Sequence, residues 1–159
     1  MDLYLLRHAK AERAAPNGDD AARPLSQKGQ RDARRLGRWM RDRGIALDLV
    51  ATSALARAQE TATLVIQGGG LPPSFEAWEE LEPGGTVDGV LARLAALDPD
   101  RAVLVVGHEP QLSALVSVAI GGGRIRLAKG ALVKVGEFAP GAGGELEWLV
   151  TPSVIAPGP

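Results

Sequence analysis

The stretch Met1-Asp2-Leu3-Tyr4-Leu5-Leu6-Arg7-His8-Ala9-Lys10 decides how this chain is read. Leu3–Leu6 is a short apolar run, the pattern of a strand covered on both faces. It leads straight into Arg7 and His8, a cation and an imidazole poorly suited to a core. A buried strand that delivers two such side chains at its end has the makings of a rigid mount.

The pattern recurs. Ala102–Val106 is a second apolar run, and His108 follows it with only Gly107 between. Leu47–Ala51 is a third, ending near Thr52. Helical spacing fills the intervals. Ser26 reads as the N-cap of a helix that runs to about Arg43 and stops at Gly44, with Ala33, Leu36, Trp39 and Met40 on its apolar face. Further helices are expected over Leu55–Gln67, over Val87–Leu97, and from Pro110 to the Gly121–Gly123 run. Ala131–Phe138 and Glu145–Val150 read as two more strands, followed by a proline-rich tail from Pro152. Strands alternating with helices predict a three-layer α/β/α domain with a mostly parallel central sheet, in a single unit over residues 1–159. The stretch Ala9–Leu25 is the longest loop expected, and loops of that length commonly line a site.

In open α/β sheets ligands bind beyond the carboxyl ends of the strands. If the strands Leu3–Leu6 and Ala102–Val106 are parallel neighbours, both histidines of the chain emerge at one edge. A single histidine so placed is more often filling a hydrogen-bonding niche; two at equivalent positions favour a shared site. Ser53-Ala54-Leu55-Ala56-Arg57-Ala58-Gln59-Glu60-Thr61-Ala62 then places Arg57 about one turn into the next helix. The helix macrodipole disfavours a cation there, so Arg57 needs a compensating anion. Arg7 and Arg57 supply guanidinium forks that bind phosphate oxygens in pairs. Two arginines and two histidines around one cavity describe a phosphoryl pocket.

Bulk properties narrow the field. The 159 residues, 45% hydrophobic and 23% charged, are ordinary for a soluble protein. A formal net charge of −1 argues against bulk attraction to nucleic acid or an anionic membrane. The absence of cysteine excludes disulfides and thiolate chemistry, and two histidines are too few for a multi-histidine metal cage. Neither a membrane span nor a signal peptide is expected, so the cytoplasm is the default location. The basic stretch Gln30–Gly44 interleaves arginine with apolar residues and with Asp32 and Asp42, and reads as a solvated helix face.

These motifs together resemble the histidine phosphatase superfamily. Leu5–Ala9 is similar to its opening Arg-His-Gly signature, Pro24–Gly29 to the segment that follows, Ser53–Ala62 to its arginine block, and Val105–Pro110 to its second histidine block. The four occur in family order across the chain. The short length, Glu80–Gly85 and the ending Leu149–Pro152 are most similar to the compact SixA-like branch. Ala9, Ala54 and Glu60 depart from the usual Gly, Pro and Gln, and none of these removes a catalytic group.

The resemblance implies a phosphoglycerate-mutase-like fold and catalysis without metal or other cofactor. It implies that His8 attacks phosphorus, while Arg7, Arg57 and His108 neutralise the non-bridging oxygens. Ser26 and Gly29 are further phosphate-binding candidates, with Ser26 equally explained as a helix cap. A proton donor is expected in Trp78–Gly85, with Glu80 at the matching place and Glu82 in reserve. The expected substrate is phosphohistidine on a protein, such as a phosphotransfer domain or carrier, acted on by a monomer. The alternatives are a small-molecule phosphomonoesterase and an inactive phosphate-binding module.

Overall fold

The computed structural model describes residues 1–71 and 75–155. Within these, six strands and four α-helices follow one another: β1 (Asp2–Arg7), α1 (Gln27–Asp42), β2 (Leu49–Thr52), α2 (Ala56–Gly69), β3 (Phe75–Ala77), α3 (Val87–Ala95), β4 (Ala102–Gly107), α4 (Gln111–Ala119), β5 (Leu132–Ala139) and β6 (Gly143–Val150). The strands form one sheet in the order β3-β2-β4-β1-β5-β6. The pairs β3–β2, β2–β4 and β4–β1 are parallel, while β5 and β6 close the far side antiparallel.

The apolar runs read from the sequence become the buried centre of this sheet. Alternation sends Leu3, Leu5, Val103 and Val105 to one face, where they pack with Val90 and Leu94 of α3 and Leu112 and Leu115 of α4. Tyr4, Leu6, Leu104 and Val106 face the other way, against Leu36 and Met40 of α1 and Val65 of α2. The result is the expected three-layer α/β/α arrangement. Trp78 is buried in the first layer, and Trp148 packs edge-on to Trp39 with ring centroids 5.5 Å apart.

Local signals set the helix ends. The Ser26 hydroxyl accepts from the Gly29 amide to cap α1, and Gly44 ends that helix region at φ +66°. α2 runs two residues past the expected Gln67 and stops at Gly70, which adopts φ +60°. β3 was not expected. It has three exposed residues, too few to show a period, and it forms by pairing with β2. Residues 156–159 of the proline-rich tail lie outside the described residues. No helix among the described residues is long and apolar enough to cross a membrane.

What positions the site is the central strand pair. β1 and β4 run side by side with Arg7 opposite Gly107, and the His8 amide donates to the Gly107 carbonyl at 3.0 Å. The chain leaves β1 toward α1 on one face and leaves β4 toward α4 on the other. Helices departing to opposite faces open a crevice at the carboxyl ends of those two strands.

Candidate active site

Both histidines rise from the floor of that crevice, their ring centroids 5.2 Å apart and their planes inclined by 56°. Arg7 comes from the last position of β1, and Arg57 from the first turn of α2 beyond β2. All four line one cavity of about 610 Å³. Arg57 is 5% exposed and both histidines are 7% exposed, so the floor is largely desolvated.

Three of the four floor groups, Arg7, His8 and Arg57, are held by hydrogen bonds. Arg7 Nη1 donates to the Leu127 carbonyl at 2.7 Å, and Arg57 Nη1 to the Asp20 carbonyl at 2.9 Å. His8 Nδ1 lies 2.7 Å from the Ala9 carbonyl oxygen. A carbonyl can only accept, so Nδ1 carries the proton and Nε2 keeps its lone pair. The Ala9 peptide is itself pinned: its amide donates to Thr61 Oγ1 at 3.0 Å, and that hydroxyl donates to the Arg57 carbonyl at 2.6 Å. Ala9 keeps a negative φ, since Glu137 is the non-glycine residue with positive φ among the described residues. The exchange of Gly for Ala is therefore accommodated without backbone strain.

Burial dominates the electrostatics. It pushes His8 down to about 4, helped by the positive surroundings of His108, Arg57 and Arg7 and opposed by the Ala9 hydrogen bond. His108 is likewise held at about 4 by burial and by Arg57, with Asp20 acting the other way. Both imidazoles are neutral at pH 7. Six buried side-chain atoms among the described residues make no well-aligned hydrogen bond within the chain: Nε of Arg7, Arg23 and Arg57, both ring nitrogens of His108, and Oε1 of Gln111, although Arg23 Nε lies 3.1 Å from an Asp20 carboxylate oxygen. Every one belongs to a residue lining this cavity. The arginine and imidazole N–H donors among them are costly to leave unpaired unless an acceptor-rich group meets them. A tetrahedral oxyanion is such a group, and the residues present fit it.

The rim differs from the sequence expectation in several ways. Arg23, from the loop before α1, joins the cavity and had not been singled out. Lys129 lines it as well. The loop end is pinned where Glu60 Oε2 accepts from the Leu25 amide at 2.7 Å, a contact that no local pattern announces. Glu80, placed as the proton donor, is not brought to the cavity. Its carboxylate lies 3.8 Å from Arg93 Nε, because the 3-10 turn Glu79–Leu81 rotates it outward. Glu82, one step beyond that turn, lines the cavity instead. Ser26 and Gly29 are also absent from its lining. The Ser26 hydroxyl is spent on the Gly29 amide and the Lys10 carbonyl. A Cβ on Gly29 would sit 2.1 Å from Lys10 O, so this glycine serves the close approach of α1 to the segment after β1.

Comparison with known proteins agrees with this geometry. The profile of the histidine phosphatase superfamily (branch 1) matches residues 3–86. The chain belongs to the histidine phosphatase superfamily. Within it, the phosphohistidine phosphatase SixA of Escherichia coli (strain K12) is 33% identical over 119 residues, covering 74% of this chain and 73% of that one. A structure of the protein histidine phosphatase SixA complexed with tungstate superposes with a TM-score of 0.90 at 28% identity, covering 98% of this chain and all of the other. A 2,3-bisphosphoglycerate-dependent phosphoglycerate mutase of Chelativorans sp. (strain BNC1) is 33% identical over 109 residues, 67% of this chain and 51% of that one. The chain is thus a histidine phosphatase of the SixA-like branch, and a hydrolase.

Proposed function

We propose that this histidine phosphatase hydrolyses phosphohistidine on a protein partner through a covalent intermediate on His8. The observation that carries the reading is His8 itself, neutral, with Nδ1 tied to the Ala9 carbonyl and Nε2 free beside three arginines. In the first step Nε2 attacks phosphorus as the bond from phosphorus to the substrate nitrogen breaks; in the second, water releases phosphate from His8. Arg7, Arg57 and His108 neutralise the non-bridging oxygens as charge redistributes, with Arg23 as a further donor. His108 enters neutral and becomes a stronger donor by taking up a proton when a phosphate dianion arrives.

The composition of the lining supports an imidazole leaving group. Pro83, Val87, Pro110 and Ala114 contribute apolar surface to the cavity, and Glu82 and Glu109 add two carboxylates. A flat ring that departs neutral or cationic suits that lining better than an anionic group does. Glu109 is committed to capping, since its carboxylate accepts from the amide and hydroxyl of Ser113. Glu82 is therefore our candidate to protonate an alkoxide. It is also the observation favouring a second reading, a phosphomonoesterase acting on small phosphate esters.

A side-by-side assay separates the two. A phosphohistidine protein and a panel of sugar and nucleotide phosphates are offered at equal concentration. Faster turnover of the phosphohistidine protein, by orders of magnitude in kcat/KM, is the expected result. Preference for one small ester would replace the protein substrate by the second reading.

A further inference from the structure

The loop between β1 and α1 lays a carboxylate across the arginines of the site. Asp20 opens the 3-10 turn Asp20–Ala22. Its Oδ2 lies 3.3 Å from Arg57 Nη2, and its Oδ1 lies 3.1 Å from Arg23 Nε. The Asp20 side chain is 70% exposed whereas that of Arg57 is 6% exposed. The carboxylate therefore sits on the solvent side of the buried guanidinium and pairs with two arginines that line the cavity. A phosphate pocket gains nothing in affinity from a fixed negative charge there, because that charge competes with the phosphoryl group for the same two cations.

Holding Arg57 in place does not require the carboxylate. The Asp20 backbone carbonyl already accepts from Arg57 Nη1 at 2.9 Å, a bond that survives any side chain at position 20. Arg57 is also enclosed by packing in the first turn of α2. What the side chain adds is charge.

Resting on the phosphatase reading above, we infer that Asp20 tunes the grip of the site on anions by partly neutralising Arg57 and Arg23. It acts through those arginines and is a positioning residue. Its charge loosens the hold on the phosphate product and penalises substrates that carry a second negative group near Arg23. A phosphohistidine, whose leaving imidazole is neutral or cationic, escapes that penalty. Asp20 thereby sets selectivity against bisphosphorylated small molecules.

The test measures binding, and so does not depend on turnover. Inorganic phosphate and tungstate are titrated calorimetrically into wild type, Asp20→Asn and Asp20→Glu. Asp20→Asn keeps the shape and the backbone bond but removes the charge, and should bind both anions about tenfold more tightly, the scale of one like charge a few ångströms away under partial screening. Asp20→Glu restores the charge and should return to the wild-type affinity. The kcat/KM penalty for a bisphosphorylated sugar relative to its monophosphate should shrink in Asp20→Asn. Unchanged or weaker anion binding by Asp20→Asn would overturn the inference, since a side chain that merely braced Arg57 would behave that way. An Asp20→Glu protein as altered as Asp20→Asn would overturn it too. Wild-type protein that bound neither anion would overturn the phosphate site itself, and this inference with it.

Discussion

The floor and the rim of the cavity are built on different principles. The floor is a product of the sheet: Arg7, His8 and His108 sit at the ends of two adjacent parallel strands, and Arg57 is one turn into the helix after a third. Arg57 and both histidines are buried, and Arg7, His8 and Arg57 are each tethered by a hydrogen bond, with the arginines' positive charge beside the imidazoles. The rim is a product of loops. Asp20 and Arg23 arrive from the segment before α1, Glu82 from the turn before α3, and Lys129 from the segment before β5. The difference teaches where chemistry and selectivity are divided. In the proposed chemistry a fixed, desolvated floor would handle phosphorus, while a more exposed, mixed-charge rim would meet the group attached to it.

That division makes substitutions on the floor costly for every substrate. Arg57→Ala removes a buried fork aimed at the phosphoryl oxygens and should lower kcat by about a hundredfold or more, the effect of losing one transition-state donor. The loss should be equal, within a factor of about three, for a phosphohistidine protein and for phosphate esters, since both present the same oxygens to Arg57. Steady-state kinetics on the two substrates checks this. A loss confined to one of them would move Arg57 from floor to rim.

Substitutions on the rim should discriminate. Glu82→Gln removes the carboxylate proposed to protonate an alkoxide and should slow ester hydrolysis about tenfold to a hundredfold. Phosphohistidine turnover should change far less, because an imidazole leaves readily once protonated. Glu80→Gln, altering a carboxylate turned toward Arg93, should leave both substrates near wild type. If Glu80→Gln shows the ester-selective loss and Glu82→Gln does not, the two carboxylates have exchanged roles.

A further effect is expected on stability, and it too belongs to the floor. His8 and His108 are both depressed from 6.5 to about 4 in the folded protein. Between those values the unfolded chain binds more protons than the folded one, so stability falls as pH drops from about 6.5 toward 4 and these two groups add no further loss below that. A thermal melt series over that range should show the decline, and His108→Gln should make it shallower. A melting temperature insensitive to pH in this window would mean that the imidazoles are not held neutral. The acid limb of kcat/KM should likewise sit well below the ordinary histidine range.

The same contrast explains what the sequence could reveal. Floor residues were legible because strand ends and a helix's first turn are local features. Leu3–Leu6 and Ala102–Val106 are apolar runs with a histidine at matching offsets, and Arg57 follows its strand at helical distance. The rim depends on bonds between distant segments. Arg23 reaches the cavity only because Glu60 pins the Leu25 amide and Asp20 meets Arg57, 37 residues away. Glu80 and Glu82 differ by two positions in a turn without periodicity, so spacing could not rank them. Ser26 shows a different limit: one hydroxyl fits a phosphate contact or a helix cap equally well on paper, and the cap is what forms. The partner that fixes the His8 tautomer was equally hidden, since it is the carbonyl of the very next residue.

The most direct test of the proposed chemistry is to trap phosphorus on the enzyme. Substrate carrying a labelled phosphoryl group is mixed with the protein, quenched during turnover, and the label located by peptide mapping. An acid-labile phosphoryl group on His8 is the expected result, formed and lost at rates that account for turnover, and absent in His8→Ala, which should have no activity. Label on another residue, or a His8→Ala protein that still turns over substrate at the wild-type rate, would contradict it.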